Sequence, residues 1–147
     1  MRSEITITCF TDLKSSTKLT EDLGNAGIKR FRDEHLKVGK LLSIHAGGNY
    51  IKNIGDAHMV RFDTIESALR FTAQLQQFYY PKPNFLKAPL EVRVGLFLGV
   101  VEPVDNDIFG SGVNQAARVE GKSQPGEIWL NKELVTSIKK VWGKDTR

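Results

Sequence analysis

Ile5-Thr6-Ile7-Thr8-Cys9-Phe10 alternates with a period of two and is rich in β-branched residues, which predicts a first strand. Ile5, Ile7 and Cys9 share one face, while Thr8, Phe10 and Asp12 share the other, with Asp12 where the strand should end. Ser15-Ser16-Thr17 offers N-cap residues for a short helix that stops near Gly24. The period then changes. Between Ala26 and Ala46, Ile28, Phe31, His35, Val38, Leu42 and His45 recur at helical spacing, so one face of a longer helix is expected to be buried. Gly47-Gly48 ends that helix. A β-rich run, a Gly55-Asp56 turn and a second run from His58 to about Phe62 predict a hairpin with Lys52 and Asp56 near its tip.

A third helix follows, with its stripe at Ile65, Ala68, Leu69, Thr72, Leu75 and Tyr79. Pro81-Lys82-Pro83-Asn84 closes it and makes an extended loop. Leu90 to Leu98 is apolar enough for a central strand, and Asp105-Asn106-Asp107 reads as a turn. From Gly112 to Glu120 a short helix sets Asn114 and Arg118 on one face, opposite Val113, Ala116 and Ala117. Pro125-Gly126 is a turn, Glu127 to Leu130 a short strand, and Lys132 to Trp142 a last helix. The pattern predicts a single α+β sandwich over residues 1–147, with helices on one sheet face. The other face is expected to stay partly open, which suits a ligand or a second subunit.

Composition narrows this picture only a little. The 147 residues have room for one core, and 40% apolar with 26% charged residues is ordinary for a globular chain. A net charge of +4, with the basic residues scattered, favours anionic ligands without pointing to nucleic acid. The single Cys9 can form no internal disulfide. No apolar run approaches a membrane span and the N-terminus lacks a signal-peptide pattern, so a cytoplasmic protein is expected. His35 and His45 lie on one helix with no cysteine or third histidine nearby, so packing or surface roles are expected for both rather than metal binding.

Polar residues at strand ends and turns carry the candidate chemistry: Asp12, Lys52, Asp56, Asp107, Asn114 and Arg118. Two carboxylates on neighbouring strand ends supply the hard oxygen ligands that magnesium takes and shares with a phosphate. Singly, Asp12 reads as a cap for the Ser-rich turn and Asp56 as a stabiliser of its own turn. Together with their surroundings they resemble the class III nucleotide cyclases, the adenylate and guanylate cyclase catalytic domain. The matching stretches are 10–17, 48–56, 93–99 and 107–118, namely FTDLKSST, GNYIKNIGD, RVGLFLG and DIFGSGVNQAAR, with Pro125-Gly126-Glu127-Ile128 also fitting.

The resemblance implies a ferredoxin-like sandwich with a mostly antiparallel sheet, and a head-to-tail homodimer with two sites at its interface. It implies that Asp12 and Asp56 ligate two Mg²⁺ or Mn²⁺ ions per site, with the Leu13 carbonyl adding a contact. From the other subunit, Lys52 and Asp107 resemble the base-reading pair, Asn114 the residue that orients the ribose, and Arg118 the one that meets charge on the α-phosphate. Arg93 matches a position that helps hold the outer phosphates. The implied substrate is a nucleoside triphosphate, with no nucleic acid and no membrane as partner. Members of the family usually continue into a C-terminal hairpin that lends a lysine to the triphosphate. Here the sequence stops after Lys132–Trp142, so that contact is expected to be missing or supplied otherwise.

Lys52 and Asp107 set a donor beside an acceptor, which fits adenine and cytosine, and uracil with the order swapped, better than guanine. Tyr50 has the parity of Lys52, so its ring is expected to project toward the base and to favour a one-ring base, or else to pack at the dimer interface. The ring, and the absence of any regulatory domain, resemble the pyrimidine cyclases of bacterial anti-phage signalling, which make cyclic UMP or cyclic CMP. The alternatives are an adenylate cyclase or a non-catalytic nucleotide-binding dimerisation module. A single-strand RNA binder would need an aromatic-rich Lys/Arg-Gly-Phe/Tyr run, which the chain lacks. A diguanylate cyclase would need a Gly-Gly-acidic-acidic-Phe hairpin, and Gly47-Gly48-Asn49-Tyr50-Ile51 is not one.

Overall fold

The computed structural model of the chain describes residues 3–13, 16–79, 92–122 and 128–136. Strand β1 (Glu4–Leu13) leads into helix α1 (Ser16–His45), the hairpin β2 (Asn49–Ile54) and β3 (Ala57–Phe62), and helix α2 (Ile65–Tyr79). Then come β4 (Val92–Val104), β5 (Asp107–Phe109), α3 (Ser111–Lys122) and β6 (Ile128–Leu130). The strands lie in the order β2-β3-β1-β4-β5, and β6 pairs with β4. Every pairing is antiparallel except β4 with β6. The expected α+β class and mostly antiparallel sheet are therefore what the chain forms. The loop at 81–84, the turn at 125–126 and residues 137–142 of the last helix lie outside the described residues, as do Ser15, Leu90, Glu91 and Glu127.

Helix α1 contains the predicted break. Gly24 has φ 70 and ψ 178, a conformation no helical residue takes, so two helices meet there at a kink. Beyond the kink, Ile28, Phe31, His35 and Ala46 are buried, while His45 is exposed. Helix α2 is capped by Thr64, whose Oγ1 accepts from Ser67 N–H at 3.2 Å, and it buries Ile65, Ala68, Phe71, Thr72, Leu75 and Tyr79. These helices cover one sheet face, where Ile7, Cys9, Val60, Phe62, Val94 and Leu96 complete the larger core. Burial also pushes the Cys9 thiol far up, so the lone cysteine is an inert packing group.

Helix α3 departs from the expectation that all helices share one face. Phe10 and Met59, which point away from α1 and α2, pack with Val101, Ile108 and Ala116 in a second, smaller core. Gly95 makes this docking possible, because a Cβ there would lie 2.5 Å from Glu120 Cα. Sequence periodicity could not foresee it. The strand residues on that side, Arg93, Gly95 and Phe97, are polar, small and aromatic in turn, with no continuous apolar stripe.

Two elements are longer or newer than expected. β4 runs on to Val104, so its second half can pair with β5, and Asp107 belongs to that strand rather than to the preceding turn. The turn proper is Asp105-Asn106, with Asp105 at φ 55, a left-handed conformation that aspartate tolerates better than most residues.

Candidate active site

Asp12 sits near the end of β1, and Thr11 before it pairs with His58 of β3. Asp56 lies two residues before His58, in the β2–β3 turn, so the two carboxylates stand at neighbouring strand ends. Asp12 Oδ1 accepts from Leu13 N–H at 2.9 Å. Its Oδ2 accepts from Arg93 Nη2 at 2.8 Å, as expected for residues paired directly across β1 and β4. Arg93 Nε also lies 3.6 Å from Glu120 Oε1. Burial raises the Glu120 carboxyl above its ordinary pKa and the Asp12 charge adds to that, while Arg93 pulls it back. In this state Arg93 is therefore the counter-ion of Asp12. Leu13 keeps its side chain in the larger core.

The Asp56 side chain is only 12% exposed, and Arg32 Nε lies 3.6 Å from its Oδ1. That oxygen is buried with no hydrogen-bond partner among the described residues. The Asp56 residue lines a cavity of about 140 Å³ together with Arg32, His35, Asn53, Gly55 and His58. A desolvated carboxylate oxygen without a donor is costly unless something else takes it. The donor set of Asp12 and Asp56, hard and anionic, fits a divalent cation of the magnesium class.

Lys52 and Asp107 are 55 residues apart in sequence, yet Lys52 Nζ donates to Asp107 Oδ2 at 2.8 Å. This bond, with help from Ile108 N–H, holds the Asp107 carboxyl below its usual pKa. Lys52 Nζ also lies 5.9 Å from the centre of the Phe109 ring. Asn114 and Arg118 are exposed on α3, and Arg118 makes no ion pair among the described residues. Val113 and Ala116 face the small core as expected, whereas Ala117 is exposed.

Tyr50 is the correction. The β2–β3 register shifts between Tyr50, which pairs with Val60, and Lys52, which pairs with Met59. This bulge at Ile51 reverses the parity, so the two side chains leave the strand on opposite faces. Tyr50 packs against the larger core, and its hydroxyl is hydrogen-bonded to His58 Nδ1 at 2.5 Å. Burial drives its own pKa well up. The ring therefore does not share the face of Lys52, and the geometric ground for a one-ring base falls away.

Sequence reading also passed over what lies behind the hairpin. The His35 and His58 rings lie tilted against each other with centroids 4.1 Å apart, and both are buried. His35 Nε2 donates to the Asp56 carbonyl at 3.0 Å and its Nδ1 accepts from the Tyr79 hydroxyl at 2.7 Å. Tyr50 and His58, eight apart across a hairpin, were the only signal, and the bulge hid it. Burial lowers His35, against the pull of Asp56 and Asp12, and lowers His58 from 6.5 to about 3, with His35 reinforcing the effect.

Between about pH 6.5 and about 3 the unfolded chain binds a proton at His58 that the fold refuses, so stability falls as pH falls. The slope should approach roughly 1.4 kcal/mol per pH unit for this imidazole alone, with His35 adding in the same direction. Urea midpoints measured at pH 7.5, 6 and 5 check it, and a flat profile would contradict neutral burial.

Residues 2–146 match the family described as the adenylate and guanylate cyclase catalytic domain. An uncharacterized protein of Mycobacterium tuberculosis is 35% identical over 132 residues, covering 87% of this chain and 34% of that protein. The adenylate cyclase of Lachancea kluyveri is 32% identical over 160 residues, covering 90% of this chain and 8% of that enzyme. The chain thus spans about a third of the length of the first of these relatives and less than a tenth of the second. In fold it is similar to the monomeric guanylyl cyclase domain of the RhoGC fusion protein from the aquatic fungus Blastocladiella emersonii. That likeness has a TM-score of 0.82 at 19% identity, over 95% of this chain and 88% of that one. No helix among the described residues is long and apolar enough to cross a membrane.

Proposed function

The chain belongs to the adenylate and guanylate cyclase catalytic-domain family, and from that premise we propose that it converts a nucleoside triphosphate to a 3′,5′-cyclic nucleotide and pyrophosphate. The observation that carries this reading is the pairing of Lys52 with Asp107 at 2.8 Å while Asp12 and Asp56 gather at neighbouring strand ends. One group suits a base edge and the other a metal–phosphate centre, and the family arrangement draws them from two copies of the chain.

The reaction is an in-line attack of the ribose 3′-hydroxyl on the α-phosphorus, with pyrophosphate leaving. Two Mg²⁺ or Mn²⁺ ions, held by Asp12 and Asp56, would supply activation of the hydroxyl and neutralisation of the phosphates. Arg118, exposed on α3, meets charge that grows on the α-phosphoryl oxygens as the bond forms. Asn114, one turn earlier, orients the ribose so that the hydroxyl lies in line. Arg93 reaches the outer phosphates only by loosening its bond to Asp12, which frees Oδ2 of that carboxylate to serve as a ligand.

For the base, the Lys52 ammonium donates and the Asp107 carboxylate accepts, matching N1 and N6 of adenine. With Tyr50 turned to the other face, its ring gives no ground for a smaller base, and ATP is the favoured substrate. The adenylate cyclases among the relatives support it. A pyrimidine triphosphate is the second reading, because N3 and N4 of cytosine offer the same pattern, as does uracil with the order swapped. Incubation with each of the four nucleoside triphosphates and Mn²⁺ or Mg²⁺ decides the matter. Cyclic AMP is expected to dominate. Cyclic UMP or cyclic CMP as main product would move the protein to the pyrimidine branch, and no cyclic product from any of the four would refute the activity.

A further inference from the structure

The Gly55-Asp56 turn has little to hold it. A Cβ at Gly55 would meet nothing within 4 Å, and the cavity of about 140 Å³ lies beside Asp56. The hairpin ladder stops at Ile54 and Ala57. Beyond it, two side chains reach the turn backbone: the His35 imidazole, through Nε2–H to the Asp56 carbonyl at 3.0 Å, and Asn53, whose Nδ2 donates to the Gly55 carbonyl at the longer distance of 3.5 Å.

That imidazole is fixed on every side. Nε2 must carry the proton to donate to a carbonyl, so Nδ1 is the acceptor of the Tyr79 O–H, and one neutral tautomer satisfies both partners. Phe31 stacks on the ring at 5.8 Å and 11°. His58 packs against it, tilted by 30° at 4.1 Å, and is itself tied to the Tyr50 hydroxyl. Gly39 of α1 leaves the space that the His58 ring fills, since a Cβ there would lie 2.5 Å from its Nε2. The bulge at Ile51 is what allows one strand to send Tyr50 inward to this network and Lys52 outward.

We propose that His35 and Tyr79 are positioning residues for Asp56, holding its turn so that the carboxylate stands ready for a divalent cation, with Tyr50 and His58 locking the same imidazole from the hairpin side. This rests on reading Asp56 as a metal ligand. The network joins α2, α1 and the hairpin tip, so the ligand's geometry is set by both helices rather than by its own two-residue turn. A ligand held in advance loses less freedom on binding, and partners of this kind behind a metal ligand are commonly worth ten- to a hundredfold in affinity.

The test uses Tyr79→Phe and Tyr50→Phe, which remove one oxygen each and keep the ring, beside His35→Leu and His35→Gln. Amide hydrogen exchange in the full chain, without metal or nucleotide, is expected to rise about tenfold at 53–57 in Tyr79→Phe, with the β1 and β4 amides unchanged. Binding of Mn²⁺ alone, followed by electron paramagnetic resonance, should weaken about tenfold. His35→Gln, which keeps a donor for the carbonyl, should recover part of what His35→Leu loses. Exchange that rises uniformly over the sheet, or stays at the wild-type level at 53–57, would overturn the proposal. A change of product base in Tyr50→Phe would also overturn it, by returning that ring to the base pocket. Asp56→Ala is the separate control. If it binds Mn²⁺ as well as wild type, the metal reading fails, and with it the positioning role, whatever the exchange shows.

Discussion

Asp56→Ala protein mixed with an equal amount of Arg118→Ala protein is expected to regain about a quarter of wild-type turnover, although each alone has lost about a thousandfold or more. The fraction follows from counting. If each site takes its carboxylates from one copy and its arginine from the other, a mixed dimer has one intact site and one doubly damaged site. Random reassortment makes half of the dimers mixed, and half of their sites work. Asp12→Ala should behave as Asp56→Ala does, and Lys52→Ala as Arg118→Ala does. The Lys52 case is the sharper one, because Lys52 and Asp56 share a hairpin and lie four residues apart. Rescue between those two would mean that neighbours on one hairpin serve different sites. Absence of rescue in every pairing would mean that each site is complete within one copy, which would overturn the head-to-tail dimer.

How much of this was legible in the sequence depends on the kind of signal. The strand, the hairpin and the long helices were legible because period-two and period-3.6 patterns are local. The Gly24 break and the Gly55-Asp56 turn were legible for the same reason. Asp12, Lys52, Asp56 and Asp107 stood out because carboxylates and a lysine at strand ends and turns have few packing roles, and Asn114 and Arg118 because they share the polar face of a short helix. Three things were hidden. A bulge is one residue of register, invisible to a parity count, and it sent Tyr50 to the wrong face in the reading from sequence. β5 is three residues long, too short for any period, so Asp107 looked like part of a turn. The His35–Tyr79 contact spans 44 residues between two helices, and no local pattern reports which buried histidine meets which tyrosine.

Gly95→Ala is expected to cost the proposed cyclase activity about a hundredfold while leaving most of the fold in place. A methyl there would overlap the Glu120 backbone nitrogen and lie 2.5 Å from its Cα, against ordinary carbon contacts of about 3.5 Å or more. Backbone cannot rotate aside as a side-chain tip does, so α3 must move by about an ångström. Arg118 sits two residues before Glu120 on that helix, and Asn114 one turn earlier still. Arg93 would also lose its neighbour Glu120 and with it part of its own aim at Asp12. The larger core on the opposite face is untouched, so the overpacking should cost about 1–3 kcal/mol rather than unfold the chain. Gly121→Ala supplies the contrast, because a methyl there meets nothing within 4 Å. In a helix it should be neutral or stabilising by up to about 1 kcal/mol. Turnover and urea midpoints of the two variants separate the cases. If Gly95→Ala retained wild-type turnover, α3 would not be what positions Arg118, and the placement of that arginine at the α-phosphate would fall with it.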